Sequence, residues 1–315
     1  MTVQLNPEKF RNPRHTLNGQ ARAVVELRAL ETLWFNTGTL CNITCAHCYI
    51  ESSPTNDRLE YVRLDELTRY LDEIRDARLP TSEIGFTGGE PFMNPDMLPM
   101  LETCMARGFR ALILTNAMQP MQRPAVLQGL RDLRERFGSA LNFRVSLDHY
   151  TKTLHETERG ANSWDKALAG ITYLSVHGFS VCVAGRLCWG EDETAARAGY
   201  ARLFTAHGIN IDAGNPAGLV LFPEMDARLD VPEITTACWG ILHKSPADVM
   251  CASSRMVIKR KGAARPAVVA CTLLPYDPRF ELGETLAAAS RPVTLNHPHC
   301  ARFCVLGGAS CSVKA

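Results

Sequence analysis

Short apolar runs and longer amphipathic segments alternate through most of the chain. The short runs are typical of buried strands. The longer segments repeat their apolar residues every three or four positions, as one face of a helix does. From Leu64 to Ala77, for example, the apolar residues fall on one side of such a helix. Strands that alternate with helices in this way predict right-handed β-α-β units and a parallel sheet.

The alternation covers six strands. They are predicted at residues 33–37, 83–86, 109–115, 141–147, 179–184 and 209–213. Helices are predicted at residues 20–32, 64–77, 97–107, 125–137, 163–177 and 191–207. Gly108, Gly178 and Gly208 follow three of these helices, at the position where glycine commonly ends a helix. Six such β-α units are too few to close an eight-stranded barrel.

The alternation also divides the chain into three parts. Residues 1–31 form a polar lead-in, and residues 32–216 form the alternating α/β domain. Residues 217–315 lose the alternation and contain many prolines. Within them, residues 255–259 and 267–270 predict a β-hairpin. We therefore expect a large α/β domain followed by a small domain of different construction.

Three cysteines follow the first strand-like run at a C-x3-C-x2-C spacing, namely Cys41, Cys45 and Cys48. Three thiolates this close in sequence can bind three corners of a cubane iron–sulfur cluster. The fourth iron then lacks a protein ligand and stays open for a small molecule. A zinc site is the alternative, although zinc sites usually combine two C-x2-C pairs.

The composition of the chain limits its expected cellular location and its expected classes of binding partner. The chain has 315 residues, a formal net charge of +1 and 12 cysteines. This charge gives no reason to expect a nucleic-acid or membrane-surface partner. No apolar run reaches the roughly 18 residues that a membrane span needs, and the polar N-terminus lacks an apolar signal core. The cytoplasm is therefore the expected location, where clustered cysteines more often bind metal than form disulfides.

A second motif, Gly88-Gly89-Glu90-Pro91, follows the second strand-like run. Together with the cysteine triplet it resembles the radical S-adenosylmethionine (SAM) enzymes, and the resemblance covers about residues 33–220 by motif order. It implies a partial (β/α)6 barrel whose open side admits the substrate. Parallel barrels place their chemistry at the carboxyl ends of the strands, and both motifs lie there.

The resemblance also implies cofactors and a reaction. SAM chelates the open iron of a 4Fe–4S cluster through its amino and carboxylate groups. One electron then splits SAM into methionine and a 5′-deoxyadenosyl radical, which takes a hydrogen atom from the substrate. A peptide or a small molecule is the expected substrate, and an electron donor such as flavodoxin or ferredoxin is the expected partner. The oligomeric state stays open.

The Gly-Gly-Glu-Pro motif fits the part of the family that binds the SAM amino group. Glycines let the backbone approach a ligand, and Glu90 accepts from the ammonium group directly or orients the turn. Pro91 completes the motif. His47 stands where many members of the family have an aromatic residue, so we expect it near the adenine; a surface histidine is the alternative.

Polar residues at later strand ends complete the expected SAM site. Asn116 follows the third strand and is a candidate for a polar contact with SAM. Ser146 is the candidate for the ribose, and Asp148 contacts SAM or faces the substrate. Arg186 is expected to pair with the SAM carboxylate, because guanidinium binds carboxylate in a two-pronged fork.

The cysteines near the C-terminus resemble the small twitch domain, a shortened relative of the SPASM domain that holds an auxiliary cluster. Cys251 precedes the predicted hairpin, Cys271 follows it, and Cys300 and Cys304 come later as a close pair. Cys311 is a further candidate. The resemblance implies one auxiliary 4Fe–4S cluster, and zinc bound by the same residues is the alternative.

A non-catalytic protein that uses iron–sulfur or zinc centres for redox or scaffold purposes is the competing function. The presence of Gly88, Gly89 and Glu90 argues against it, because a pure scaffold has no need of a SAM pocket. The sequence therefore predicts a radical SAM enzyme, and it does not identify the catalytic acid or base or the substrate.

Overall fold

A computed structural model describes residues 3–223 and 226–308 of the protein. The strands are β1 (Val24–Val25), β2 (Thr32–Asn36), β3 (Glu83–Thr87), β4 (Arg110–Thr115), β5 (Leu141–Ser146), β6 (Ser180–Leu187), β7 (Leu219–Pro223), β8 (Ser254–Ile258), β9 (Ala267–Val269), β10 (Glu281–Gly283) and β11 (Val293–Thr294). The helices are α1 (Leu64–Asp76), α2 (Met97–Ala106), α3 (Gln119–Gln122), α4 (Pro124–Phe137), α5 (Lys152–Arg159), α6 (Trp164–Val176), α7 (Glu193–Ala206) and α8 (Cys238–Ile241). A π-helix spans Cys300–Leu306.

The central sheet has nine strands in the order β10-β9-β8-β2-β3-β4-β5-β6-β7. All neighbours from β8 to β7 are parallel, and β9 and β10 are added antiparallel. Within the described residues, β7 and β10 form the two edges and the sheet stays open. The predicted α/β class with a partial parallel barrel is confirmed.

Burial on both faces explains the apolar runs of the parallel strands. Leu33, Trp34 and Phe35 of β2 are completely buried, as expected for a central strand covered on both sides. The Phe35 ring packs edge-on against Tyr70 of α1 at 6.0 Å and lies 6.1 Å from Phe86 of β3. The helices thus cover the sheet with the apolar stripes that the sequence predicts.

Two predicted elements are wrong. The predicted sixth strand at residues 209–213 is irregular and leads into a turn, and the strand begins at Leu219. The side chains of Asp212 and Asn215 accept from the backbone of Gly214 and Ala217, and such local bonds compete with strand pairing. The predicted helix at residues 20–32 is extended instead, because its backbone pairs with β11 and with Ile234.

The C-terminal part of the chain joins the same sheet. The predicted hairpin exists as β8 and β9, and β8 also pairs in parallel with β2, with Thr32 opposite Ser254. β7 pairs in parallel with β6, with Val183 opposite Leu219. Residues beyond 217 therefore supply strands to both sides of the predicted barrel. No helix in the described residues is long and apolar enough to cross a membrane.

Candidate active site

The carboxyl ends of strands β2 to β7 surround one cavity of about 1150 Å³, counting its open mouth. The polar and cysteine lining consists of Cys41, Cys45, His47, Cys48, Ser52, Thr87, Thr115, Asn116, Arg144, Ser146, Asp148, Glu158, Arg159 and Arg186. Gly88 and Gly89 also line it. Most of the predicted site residues therefore meet at one cavity.

The loop after β2 brings Cys41, Cys45 and Cys48 to this cavity. Its two ends are joined, because the Cys41 N–H donates to the Ser53 carbonyl at 3.0 Å. In the described residues no three His, Cys, Asp or Glu side chains surround a point where one ion would bind. The thiolates of a cubane cluster each bind a different iron, and all three cysteines line the same cavity.

Burial affects the thiols of this loop. It raises the pKa of Cys41 to about 12 and also raises that of Cys45. The Arg159 guanidinium opposes both shifts. Metal ligation requires the thiolate, so these two residues ionise when a bound metal stabilises the negative charge.

The glycine turn after β3 lies directly against this loop. The Gly89 N–H donates to the Gly38 carbonyl at 2.7 Å, and a Cβ at Gly89 would lie 2.0 Å from the Leu40 carbonyl oxygen. Gly88 has a φ of +145°, and a Cβ there would lie 2.5 Å from the Gly38 oxygen. Both positions therefore require glycine, and the close approach brings the backbone of the turn to the cavity.

Glu90 stands behind the turn, with 1% of its surface exposed. Its carboxylate accepts from the Thr115 hydroxyl at 2.7 Å, the Asn116 N–H at 2.9 Å and the Phe92 N–H at 3.3 Å. Burial raises its pKa to about 7, although these three donors oppose the shift. Neither Glu90 nor the buried Pro91 is among the lining residues. Of the two predicted roles of Glu90, this geometry favours the orientation of the turn.

Asn116 connects the end of β4 to the cysteine loop. Its side-chain amide donates to Asn42 Oδ1 at 2.9 Å and lies 3.9 Å from Cys41 Sγ. Ser146 at the end of β5 also lines the cavity. Asp148, two residues later, forms an ion pair with Arg159. Asn116 and Asp148 therefore already have partners within the protein.

Glu158 of α5 is a polar residue of the cavity lining. Its carboxylate accepts from Arg186 Nη1 at 2.7 Å and lies 2.9 Å from His47 Nδ1. Its backbone carbonyl accepts from Ala46 N–H at 2.7 Å. One residue thus fixes His47 and Arg186 and also attaches the cysteine loop to the end of α5.

Sequence reasoning missed Glu158 and Arg159 because it missed α5. The buried face of this helix carries His155 and Glu158, so it has no apolar repeat that would reveal it. The signal that remained was Gly160, which follows Arg159 with a φ of +86° and ends the helix. The apolar wall of the cavity was also not predicted. It consists of Tyr49, Ile50, Leu114, Ala184, Phe222, Leu273 and Phe303.

A second, smaller cavity of about 380 Å³, counting its open mouth, is lined by Cys251, Cys271, Cys300 and Cys304. These are the four cysteines that the sequence groups together, and Cys311 lies outside the described residues. Leu273 lines both cavities. The two cysteine sites are therefore neighbours that share one side-chain wall.

Comparison with known proteins decides the family. A sequence model described as the radical SAM superfamily matches residues 35–197, just over half of the chain. The chain belongs to the radical SAM superfamily. The predicted enzyme class and the predicted SAM and 4Fe–4S cofactors are thereby confirmed. The residues around the first cavity fit those cofactors, since its cysteine triplet and its glycine turn both line it.

Among relatives in the radical SAM superfamily, the chain is 32% identical over 145 residues to the antilisterial bacteriocin subtilosin biosynthesis protein AlbA of Bacillus subtilis, covering 46% of this chain and 30% of AlbA. It is 25% identical over 140 residues to the mycofactocin maturase MftC of Mycobacterium tuberculosis, covering 44% of this chain and 33% of MftC. The matched segment thus spans about a third of these curated relatives.

A solved structure of Streptococcus suis SuiB bound to the precursor peptide SuiA superposes with a TM-score of 0.60 at 13% identity. The superposition covers 84% of this chain and 66% of SuiB. At this identity the likeness establishes the radical SAM fold alone.

Proposed function

We propose that this radical SAM enzyme binds its SAM-cleaving 4Fe–4S cluster through Cys41, Cys45 and Cys48 and abstracts hydrogen from an organic substrate. The observation that carries the proposal is the meeting of this triplet with the Gly88-Gly89 turn at one cavity. When bound, the cluster supplies the electron that splits SAM into methionine and a 5′-deoxyadenosyl radical. The protein supplies position and shielding.

The surrounding side chains have separate roles in this proposal. The backbone of the Gly88-Gly89 turn receives the SAM amino end, and Glu90 holds that turn against β4. Ser146, which lines the cavity, contacts the ribose. Arg186 uses Nη1 for Glu158, and its other N–H groups remain for the SAM carboxylate, since a guanidinium has five donors.

We also propose that Cys251, Cys271, Cys300 and Cys304 hold one auxiliary 4Fe–4S cluster. Support comes from Arg255, a buried cation beside this cavity that donates to the Cys251 carbonyl at 2.6 Å. In the described residues its hydrogen bonds go to backbone carbonyls, with no carboxylate. A buried charge without a counter-charge is unfavourable, and a cluster bound by four thiolates would supply negative charge.

For the substrate, we propose a peptide, with a small molecule as the alternative. The name of AlbA refers to bacteriocin biosynthesis, and SuiB was solved with a precursor peptide. The aromatic side chains of Tyr49, Phe222 and Phe303 at the first cavity would suit apolar side chains of such a peptide. We further propose a cytoplasmic location with flavodoxin or ferredoxin as the electron donor.

The test of SAM cleavage uses the anaerobically reconstituted protein with SAM and a chemical reductant. The unaltered protein should release 5′-deoxyadenosine. The triple variant with Cys41, Cys45 and Cys48 replaced by Ala should not. A matched control is Cys182→Ala, which removes a half-buried thiol of β6 outside both cavities. Absence of 5′-deoxyadenosine from the unaltered protein would favour a redox or scaffold protein, and full release by the triple variant would reject the assigned ligands.

The auxiliary cluster is tested in the same triple variant, which lacks the first set of ligands. After anaerobic reconstitution it should bind about four irons and four sulfides per chain, the content of one cubane. Zinc at this site, or no metal, would reject the auxiliary cluster. The assignment of the SAM site would survive that result.

A further inference from the structure

The cavity that holds the four C-terminal cysteines has one nitrogen-bearing side chain in its described lining. Apart from the cysteines and His299, the lining is apolar. It consists of Val249, Met250, Ala270, Leu273, Leu274, Phe280, Val293 and Leu295. Neither a carboxylate nor a hydroxyl is present among these residues, so His299 is the only lining side chain with a strong hydrogen-bonding atom.

His299 is 8% exposed, and its Nδ1 is buried without a hydrogen-bond partner among the described residues. A buried polar atom in this state is rare and unfavourable. A buried water needs two to four polar partners, which the apolar lining of this cavity does not offer. The ring of His297 lies 4.8 Å from that of His299, and its Nδ1 accepts from the His299 backbone N–H at 3.1 Å. That nitrogen is therefore not a partner of the His299 ring.

The backbone explains why His299 and two of the cysteines share this cavity. His299 directly precedes the π-helix that carries Cys300 and Cys304. The Gly307 N–H donates to the Arg302 carbonyl at 3.0 Å, which is the i→i+5 bond of a π-helix. Cys300 and Cys304 lie about one turn apart on this helix, and π-helical turns are frequent at functional sites.

We propose that the His299 Nδ1–H donates a hydrogen bond to a sulfur of the auxiliary cluster and thereby raises its reduction potential. The inference rests on the proposed auxiliary cluster. Reduction adds negative charge to the cluster, and a donor aimed at a sulfur stabilises the more negative state, which is one of the established influences on cluster potential. His299 would therefore tune the reduction potential through a direct hydrogen bond to the cluster, and the four cysteines remain the ligands.

The test uses the triple variant at Cys41, Cys45 and Cys48, so that only the auxiliary site is loaded. His299→Leu removes the donor, His299→Gln keeps an N–H donor, and His297→Asn is the control because it keeps an acceptor for the His299 backbone. All three should retain about four irons per chain. In His299→Leu the ratio of reduced to oxidised cluster at a fixed potential should fall about tenfold, a shift of about 59 mV for a one-electron couple. His299→Gln should show a smaller fall in this ratio, because it keeps a donor.

An unchanged potential in His299→Leu at full iron content would overturn the inference while the auxiliary cluster stands. Loss of iron in that variant but not in His297→Asn would also overturn it, because His299 would then act as a ligand. If the triple variant itself binds no iron, the proposed auxiliary cluster fails first.

A second measurement needs no change at position 299. The triple variant combined with His297→Asn and labelled with ¹⁵N-histidine should show a weak ¹⁵N coupling to the reduced cluster by electron–nuclear double resonance. A strong coupling, expected for a direct iron–nitrogen bond, or no coupling at all would contradict the hydrogen bond.

Discussion

Replacing Gly89 with Ala would introduce a methyl group into the backbone of the cysteine loop. The new Cβ would lie 2.0 Å from the Leu40 oxygen and 2.5 Å from the Leu40 carbon, whereas ordinary contact begins at 3.4 Å. The clash is with main-chain atoms, so no rotamer change relieves it. The Gly89 and Leu40 backbones would have to move apart by about 1.4 Å, which would also break the hydrogen bond from the Glu90 N–H to the Leu40 carbonyl. Overpacking costs about 1–3 kcal/mol and a lost hydrogen bond about 1 kcal/mol, so we expect about 2–4 kcal/mol in total.

The measurement is the thermal midpoint of the reconstituted protein, followed by titration with SAM. Gly89→Ala should lower the midpoint by roughly 3–6 °C and weaken SAM binding, because the shift begins one residue before Cys41. Gly240→Ala is the matched control. Gly240 lies in α8, where an added Cβ would meet no atom within 4 Å and φ is not positive, so alanine should be neutral or stabilise by about 0.4–1 kcal/mol. A midpoint for Gly89→Ala within about 1 °C of the unaltered protein, with unchanged SAM affinity, would refute the reasoning.

Three buried polar groups give further predictions. Glu90→Gln places an amide NH2 group against one of the three donors that now bond to the Glu90 carboxylate, so the free energy of unfolding should fall by about 1–3 kcal/mol. The iron content should not change. An unchanged denaturation midpoint would contradict the predicted loss of stability. Glu158→Gln weakens the contacts to His47 and Arg186 and should raise the SAM dissociation constant severalfold. The control Glu135→Gln, at an exposed position, should leave that constant unchanged. Equal SAM affinities of the two variants would exclude a role of Glu158 in SAM binding. Lys259→Met removes the partner of the buried Glu66 at 2.6 Å and leaves Arg63, whose backbone N–H donates to the Glu66 carboxylate at 2.9 Å. It should cost about 1–3 kcal/mol in urea unfolding, and an unchanged free energy of unfolding would show that Arg63 alone satisfies Glu66.

Local patterns predicted most of the α/β core. Helices α1, α2, α4, α6 and α7 begin and end within two residues of the predicted limits, because one buried face gives each a clear apolar repeat. The cysteine triplet and the glycine motif were recognisable for a similar reason: each is contiguous in sequence. The four C-terminal cysteines were grouped by order along the chain, and they do line one cavity.

Features that depend on distant partners were not predictable from sequence. No local pattern near residues 24–25 indicates that they pair with residues 293–294. The sequence therefore predicts a helix at residues 20–32 instead. The parallel pairing of β8 with β2 joins residues more than 200 positions apart. Glu158 was not predicted as a site residue, because its role depends on contacts to Ala46, His47 and Arg186. None of these residues is close to it in sequence.

The pairing of β8 with β2 limits how this protein can be cut or recombined. A shortened chain that ends at residue 216 would lose both β7 and β8, and β2 would become an edge strand. The unpaired backbone of β2, which carries the apolar side chains of Leu33, Trp34 and Phe35, would then offer a template for pairing with other chains. Such a fragment should aggregate rather than fold as a free-standing catalytic core. Exchange of the C-terminal segment between relatives would succeed only where the incoming segment brings a strand that matches β2 in register.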